Sequence, residues 1–393
     1  MSSRPRPAAR WAVPAGLAAV VVGATLVVPT IAAAEPDLPE VTAAELLANL
    51  RTEPVDGLSG TVVHRADLGL PALPGLTDGG GGGPVGSPVD ATSLLDGEHT
   101  LRVWAAGPDR ARVALHGGMS ELAVVVDGDE VWVWRSEGAT VTQVLLPEHP
   151  TTDDAGHRAK ARGGLPPMTP AEYADVLLAS LDPSTEVSVG APVTVAGRPA
   201  YELVLDPRSD GTLVDQVRIA VDAADRVPTR VQVHAVGHSA PAIDVGFTDL
   251  SLTRPDDDVL TFTPPPGATT DVLDLTDGTD KPATGRDGEG SNDADDTDAD
   301  DGEKADQVTV VGDGWSRVLI ATLPPDALAG LAGQELTGEA SELAAGLEAL
   351  PRVDGPAGAG RLLQSRLFSV LLLDDGRVLI GAVDGDTLQA AAG

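Results

Sequence analysis

The chain has 393 residues, of which 42% are hydrophobic and only 3% aromatic, so its cores are expected to consist mainly of Val, Leu and Ala. Its net charge of −34 argues against electrostatic binding to nucleic acid or to an anionic membrane surface. The absence of cysteine excludes disulfides, thiol catalysis, cysteine-ligated zinc and lipid attachment through cysteine. The length allows one to three domains.

The N-terminus has the pattern of an export signal. Three arginines among the first ten residues precede an apolar run from Trp11 to Ile31, and three alanines follow it. The run is 21 residues long, enough to span a bilayer, so residues 1–34 form either a cleaved signal peptide or a retained membrane anchor. Both alternatives predict that the remainder is exported, either secreted or held at the extracytoplasmic face of the cell membrane.

The first predicted elements are a helix over Thr42 to Arg51 and a strand over Leu58 to Arg65. Thr42 and Glu45 have the spacing of a capping box at the start of the helix. A long stretch rich in Gly and Pro follows, from Ala66 to Gly97, where regular structure is not expected.

This irregular stretch is too apolar for an ordinary solvated loop. Long loops without secondary structure often serve as lids or binding loops. Its leucines are therefore expected either to form a lid over a binding site or to pack against the sheet: Leu68, Leu70, Leu73 and Leu76.

An antiparallel meander forms the centre of the predicted sheet. Strands over His99 to Ala105 and Arg110 to His116 lead into three strands between Glu121 and Pro147, joined at Asp127-Gly128-Asp129 by a tight turn. Strand alternation places Trp132 and Trp134 on one face of their strand, and the intervening valines on the other.

The tryptophans of this region have two interpretations. They pack as core residues under a helix, or they line an apolar cavity that binds long chains by burial of apolar surface. The candidate cavity lining comprises Trp104, Leu115, Val124, Val126, Trp132 and Trp134.

A helix and five further strands complete the first predicted domain. The helix covers Thr169 to Leu181, with Thr169 as its cap and Pro170 at its first position. The domain ends at residues 261–268, where three prolines stop any strand ladder. The predicted strands are Thr185 to Val195, Arg198 to Leu205, Gln216 to Val221, Pro228 to Val236 and Ala242 to Leu252.

The order of these segments resembles the lipoprotein-carrier (LolA-like) superfamily, which includes the N-terminal domain of the sigma-factor regulators RseB and MucB. The resemblance covers about three fifths of the chain, from Val41 to Ala268, and rests on the order and spacing of motifs that are individually weak. The motifs are TAAELLANLR, LSGTVV, DGDEVWVW, TPAEYADVLLASL, AGRPAYELVL and FTPPPGA. The resemblance implies an α+β fold, an incomplete antiparallel β-barrel whose concave side is plugged by helices, with an apolar cavity for acyl chains.

The remainder of the chain is predicted to hold a linker and a second domain. Residues 271–306 contain 12 Asp and 2 Glu against 2 Lys and 1 Arg, which is typical of a disordered, self-repelling linker. Residues 307–393 have the pattern of a small α+β domain, and residues 35–270 form the half-barrel domain. The predicted C-terminal strands are Val308 to Val311, Ser316 to Ala321, Leu367 to Leu373 and Arg377 to Val383, and the predicted helices are Pro325 to Ala332 and Glu339 to Leu350.

The sequence contains no recognised catalytic motif, so a non-enzymatic function without cofactor or metal is predicted. Two functions fit the pattern. The first is an exported binder or carrier of lipids, acylated proteins or other hydrophobic ligands. The second is an envelope regulatory or sensor module that acts on a membrane protein partner.

Overall fold

A computed structural model of the chain describes most of the residues after the predicted signal. The described residues are 36–50, 55–70, 95–107, 109–116, 120–146, 168–178, 181, 183–274, 308–322 and 346–393. The predicted signal or anchor and most of the acidic linker lie outside them, as does the predicted helix Pro325 to Ala332. None of the helices within these ranges combines the length and the apolar character that a bilayer crossing requires.

The main architectural feature is one large sheet of thirteen strands. The strands run in the order β13-β6-β5-β4-β3-β2-β1-β12-β11-β10-β9-β7, with β8 also paired to β9. Their bounds are β1 Leu58–Asp67, β2 Asp96–Ala105, β3 Arg110–His116, β4 Glu121–Asp127, β5 Glu130–Arg135, β6 Thr140–Leu145, β7 Thr185–Val189, β8 Val193–Val195, β9 Arg198–Pro207, β10 Val214–Asp222, β11 Pro228–Ala235, β12 Pro241–Ser251 and β13 Thr269–Asp274.

Almost every pairing in this sheet is antiparallel, and the sheet is open. β1 lies near its centre, between β2 and β12. β13 alone pairs in parallel, with β6. Within the described residues, the edge strands β13 and β7 do not pair with each other, so the sheet is not closed into a barrel. The fold is therefore mainly β with few helices, and the open sheet is consistent with the predicted incomplete barrel.

Within the part of the chain that the structure describes, three short α-helices accompany the sheet: α1 Ala43–Asn49, α2 Pro170–Leu178 and α3 Asp257–Leu260. The predicted capping box begins α1, since Thr42 Oγ1 accepts a hydrogen bond from the backbone N–H of Glu45 and the Glu45 carboxylate accepts one from the N–H of Thr42. α2 has the same reciprocal pair between Thr169 and Glu172. Both caps satisfy N–H groups that helix ends leave without partners.

One face of the sheet, here called the inner face, carries the apolar core. Towards β2–β6 the core is formed by residues such as Leu101, Leu115 and Val124. Towards β9–β12 it is formed by residues such as Leu203 and Ile219, on which α1 and α2 pack. Tyr173 of α2 and Ile243 of β12 contact both parts, so the apolar surface is continuous along the inner face.

The opposite, outer face differs between the two halves of the sheet. On β9–β12 it carries ion pairs, among them Arg218 with Glu202 and Arg230 with Asp244. On β2–β6 it is covered by α3 and the residues after it, where Leu260 is fully buried. An ion pair of 2.7 Å between Arg110 Nη1 and Asp257 Oδ1 fastens this cover to β3.

A second sheet of six strands forms the C-terminal part, in the order β14-β15-β19-β18-β17-β16. Helix α4, Gly385–Ala391, packs on one face of it, where Leu371, Leu379 and Leu388 are fully buried. The strands are β14 Val308–Val311, β15 Val318–Thr322, β16 Arg352–Gly355, β17 Gly358–Gln364, β18 Ser369–Leu373 and β19 Arg377–Gly381.

The two sheets belong to one compact unit of residues 37–393 and share a core. Trp315 and Leu367, from the C-terminal part, are buried in the same cluster as α1 and β9–β12. Trp315 Nε1 donates a hydrogen bond to Thr185 Oγ1 at 2.9 Å. The backbone N–H of Leu213 donates to the carbonyl of Ala382 at 2.8 Å, so the junction includes main-chain hydrogen bonds as well as apolar contact.

Several elements differ from the sequence predictions. The predicted strand Thr185 to Val195 is two strands on the same partner, because Pro192 lacks the N–H that an unbroken ladder needs. β13 continues the sheet four residues into the predicted linker. The hairpin β16–β17, rich in glycine, and helix α4 were not predicted.

The predicted helix Glu339 to Leu350 is helical at 346–349, and its earlier residues lie outside the described part.

Candidate functional site

The candidate site is the inner face of the large sheet, which strand register defines residue by residue. Residues opposite each other in an antiparallel pair share a face. Val103, Val113, Val124 and Val133 lie in one such row across β2–β5, and Leu101, Leu115 and Leu122 form the next row. All seven side chains are buried, so the centre of this half of the inner face is apolar, while Arg135 continues the second row on β5.

The six residues predicted to line one cavity are divided between the two faces. Leu115, Val124 and Val126 belong to the inner face. Trp104, Trp132 and Trp134 lie opposite Arg112, Val125 and Ala123 respectively, which places them on the outer face. The tryptophans and the aliphatic residues therefore do not share a lining, which corrects the predicted grouping.

The tryptophans make contacts of their own on the outer face. Trp132 packs on Phe262, with ring centroids 5.6 Å apart, and its Nε1 donates a hydrogen bond to Glu130. The guanidinium of Arg102 lies 5.3 Å from the ring of Trp104. The residues after α3 thus cover Trp132, which agrees with the alternative that it packs within the protein.

The described part of the predicted lid packs against the protein. Leu68 is buried in the core cluster shared with the C-terminal sheet, and Leu70 packs against that cluster. The N–H of Arg366 donates to the Leu68 carbonyl at 2.8 Å, and Arg366 forms a 2.5 Å ion pair with Asp67. Leu73 and Leu76 lie outside the described residues, so their role as a lid stays a prediction.

A buried polar pair lies on the inner face between the two halves of the core. His64 of β1 is 1% exposed, and its Nε2 is 2.8 Å from the hydroxyl of Tyr173 on α2. Burial, and secondarily the charge of His99, lowers the pKa of His64 to about 4. Burial likewise raises the pKa of the Tyr173 hydroxyl well above its usual value. Both groups are therefore neutral at physiological pH.

His64 is not among the candidate residues that the sequence analysis singled out. Strand alternation could have identified it, because in the run from Gly60 to Ala66 it falls on the same face as Val62. Within the described residues, no group of three or more His, Asp or Glu side chains could hold a metal ion.

Neither a family model nor a curated protein matches this sequence. Among solved structures, the chain is similar to the Pseudomonas aeruginosa MucA/MucB complex, with 17% identity, 89% of this chain and 96% of that chain covered, and a TM-score of 0.43. It is also similar to a LolA superfamily protein from Nitrosomonas europaea, with 13% identity and a TM-score of 0.23. That match covers 57% of this chain and 99% of the Nitrosomonas chain.

A third similar structure is a putative outer membrane lipoprotein-sorting protein domain from Vibrio parahaemolyticus, with 8% identity and a TM-score of 0.21. That match covers 56% of this chain and 94% of the Vibrio chain. The three structures named here carry names from the group that the order of the sequence motifs resembles.

Proposed function

We propose that the protein is an exported, non-enzymatic binder or carrier of hydrophobic molecules such as lipids or acylated proteins, which it holds on the inner face of the large sheet. One observation carries the proposal: the inner face of an open sheet is apolar across both halves, and the described elements packed on it include two short helices, α1 and α2. Opening of these helices would admit an acyl chain between them and the sheet, and their return would cover it.

The energetics of this surface favour long apolar ligands. Each buried methylene contributes about 0.8 kcal/mol, so a long acyl chain binds without any charged partner. In its central rows the inner face of β2–β5 presents Val and Leu side chains, with Arg135 at the end of one row, and no ion pair among the described residues lies between them. Affinity is therefore expected to rise with chain length and to change little with salt concentration.

Export is proposed on the sequence pattern of residues 1–34. N-terminal sequencing of the protein recovered from a bacterial host distinguishes a cleaved signal peptide from a retained membrane anchor. A start at Glu35 indicates a cleaved signal, and an intact N-terminus in the membrane fraction indicates a retained anchor. Recovery of uncleaved protein from the cytosol would contradict export.

The first test is native mass spectrometry of residues 35–393 exported from a bacterial host. We expect a bound acyl species, or its uptake from added fatty acids and phospholipids. A clean apo mass that persists with both additives contradicts the proposal.

A matched pair of variants locates the ligand. Val124 and Val125 are adjacent, both buried, and lie on the inner and outer faces respectively. Val124→Thr introduces a hydroxyl into the proposed site and is expected to lower affinity several-fold, whereas Val125→Thr leaves affinity unchanged at a similar cost in stability. Equal effects of the two variants on binding would exclude the inner face as the site.

A second candidate function is a regulatory module that contacts a membrane protein of the envelope. It is favoured by an apolar row on the face of the C-terminal sheet opposite α4. Val310, Leu319 and Ile380 are cross-strand neighbours in this row and are 52%, 44% and 43% exposed. Exposed apolar rows of this kind mark protein interaction surfaces.

Substitution within the row tests this second function. We expect Leu319→Arg to abolish co-purification of a membrane protein from the native host, and Thr309→Arg, which changes an exposed residue on the other face, to preserve it. Identical co-purification with both variants would contradict a role for the row.

A further inference from the structure

Among the described residues of the inner face, His64 is a buried polar side chain whose hydrogen bonding is incomplete. On its face of the sheet, the imidazole of His64 has Val62, Ala66 and Val245 as neighbours, together with His99, whose ring centroid is 6.3 Å away. Its Nε2 is bonded to Tyr173, but its Nδ1 has no hydrogen-bond partner of acceptable geometry within the described part of the chain. Buried polar atoms in folded proteins nearly always have a partner, so an atom left without one points to a ligand or a water.

The protonation states of His64 and Tyr173 determine which nitrogen of the imidazole is a hydrogen-bond donor. A neutral imidazole carries one N–H donor and one acceptor nitrogen. The phenol of Tyr173 is the stronger acid of the two, so its O–H donates to Nε2 and the imidazole proton resides on Nδ1. The backbone carbonyl of His64 itself raises the pKa of the ring and partly offsets the effect of burial, but no hydrogen bond of acceptable geometry is made by Nδ1 within the described residues. Among those residues, His64 therefore presents an N–H donor without a well-aligned acceptor.

The surroundings of this donor select the kind of acceptor it takes. Apart from His99 and Tyr173, the inner face around it is apolar, so a charged carboxylate or phosphate would lose its hydration with one neutral donor of His64 in return. A neutral carbonyl oxygen loses much less and accepts a hydrogen bond equally well. Ester and amide carbonyls occur where an acyl chain joins its headgroup.

We propose that His64 Nδ1 donates a hydrogen bond to the carbonyl that links an acyl chain to its headgroup, so that the protein selects acyl esters and amides over ethers and plain hydrocarbons. This inference rests on the proposed function, because it assigns a specificity-determining residue to the same inner face. Tyr173 acts as a positioning residue that fixes the tautomer of the ring.

Two ligands that differ only in the carbonyl test the inference. 1-Palmitoylglycerol is an ester, and 1-O-hexadecylglycerol is the ether with the same chain length. We expect the wild-type protein to bind the ester about tenfold more tightly, the effect of one additional hydrogen bond in a buried site. His64→Leu should bind both ligands equally, with the affinity for the ether unchanged.

Further variants separate specificity from folding. Tyr173→Phe removes one hydroxyl and is expected to reduce the ester preference, because the imidazole tautomer is no longer fixed. His99→Leu is the matched control, since His99 lies opposite His64 on β2 but makes no contact in the proposed bond, and the preference should persist. If His64→Leu does not fold, the comparison of Tyr173→Phe with His99→Leu still decides the outcome.

A spectroscopic measurement reports on the bond directly. In ¹H–¹⁵N NMR of the wild-type protein, the Nδ1 proton of His64 should shift when the ester binds and remain in place when the ether binds. Equal wild-type affinities for the two ligands, or an unshifted Nδ1 proton, would overturn the inference and leave the proposed function intact. Failure to bind either ligand would overturn the proposed function as well.

Discussion

At the scale of single residues, the two faces of a strand determine what each side chain can do. Val124 and Val125 are neighbours in the chain, yet Val124 lies within the core of the inner face, whereas Val125 is on the outer face opposite Trp132. Strand alternation correctly predicted that Trp132 and Trp134 lie on one face of β5 and its valines on the other face. It could not show which face is the inner one, because that depends on where α2 and α3 pack.

The buried His64 makes stability depend on pH. Its pKa is about 4 in the folded protein and near the ordinary 6.5 in the unfolded chain. Between these values the unfolded state takes up a proton that the folded state does not, so the free energy of unfolding falls as pH falls through this window. Above pH 6.5 the contribution of His64 to the free energy of unfolding is constant. Acidification to below pH 4 lowers that free energy by up to about 3 kcal/mol.

Urea unfolding of the wild type and of His64→Leu between pH 7.5 and 4.5 measures this contribution. The difference between the two proteins isolates His64 from carboxylates that titrate at lower pH. We expect the wild type to lose stability relative to the variant as the solution is acidified. Parallel pH profiles for the two proteins would contradict the buried neutral histidine.

At the scale of elements, the helix caps determine how readily the inner face is exposed. α2 is short, and its first turn is held by the reciprocal hydrogen bonds between Thr169 and Glu172. Thr169→Ala removes one of them and is expected to cost about 1 kcal/mol. Because α2 lies over His64, this loss should make opening of the helix more frequent without altering the sheet.

Hydrogen exchange followed residue by residue tests this expectation. The amides of α2 should exchange about fivefold faster in Thr169→Ala, while those of α1 are unchanged. Thr42→Ala is the matched control and should affect α1 alone, since α1 has the same type of cap. Equal acceleration in both helices would show that the variant acts on global stability.

The elements that were predicted from sequence are those defined by local signals. The meander β4–β6 follows from alternation and from the Asp127-Gly128 turn, and both helix caps follow from residue spacing. β13 was missed because its residues, TTDVLD, resemble the acidic linker that follows, and it is a strand only through its pairing with β6. The hairpin β16–β17 was missed because its glycines are typical of loops.

The grouping of the candidate site residues depends on strand pairing as well as on alternation. Leu115, Val124 and Val126 share the inner face, and their role in lining a ligand cavity stays a prediction. The contact between His64 and Tyr173 joins residues 109 positions apart, so no local pattern reveals it. The exposed row on the C-terminal sheet likewise depends on the pairing of β14, β15 and β19.

At the scale of the whole molecule, the shared core predicts that the two sheets unfold together. Trp315 and Leu367 are buried among residues of the large sheet, and main-chain hydrogen bonds cross the junction at Leu213 and Ala382. We therefore expect residues 35–393 to unfold in one cooperative transition.

Probes in each sheet test this expectation during urea unfolding. The fluorescence of Trp315, observed in a variant whose other tryptophans are replaced by phenylalanine, reports on the C-terminal sheet, and hydrogen exchange of β9–β11 reports on the large one. We expect the two probes to give the same urea midpoint. In Leu367→Ala both midpoints should move to lower urea concentration by the same amount. Two separate midpoints would show that the sheets are energetically independent.

The central position of β1 has a consequence for how the protein reaches its native state. β1 is the first of the described strands, yet Ser59 pairs with Ser251, about 190 residues later, and among the described strands this is the pairing that joins the two halves of the sheet. Contacts between such distant residues are slow to form because a long loop must close first. The half-sheets are therefore expected to form early as separate hairpin arrays with exposed apolar surfaces, and the arrival of β12 is the step that limits the folding rate.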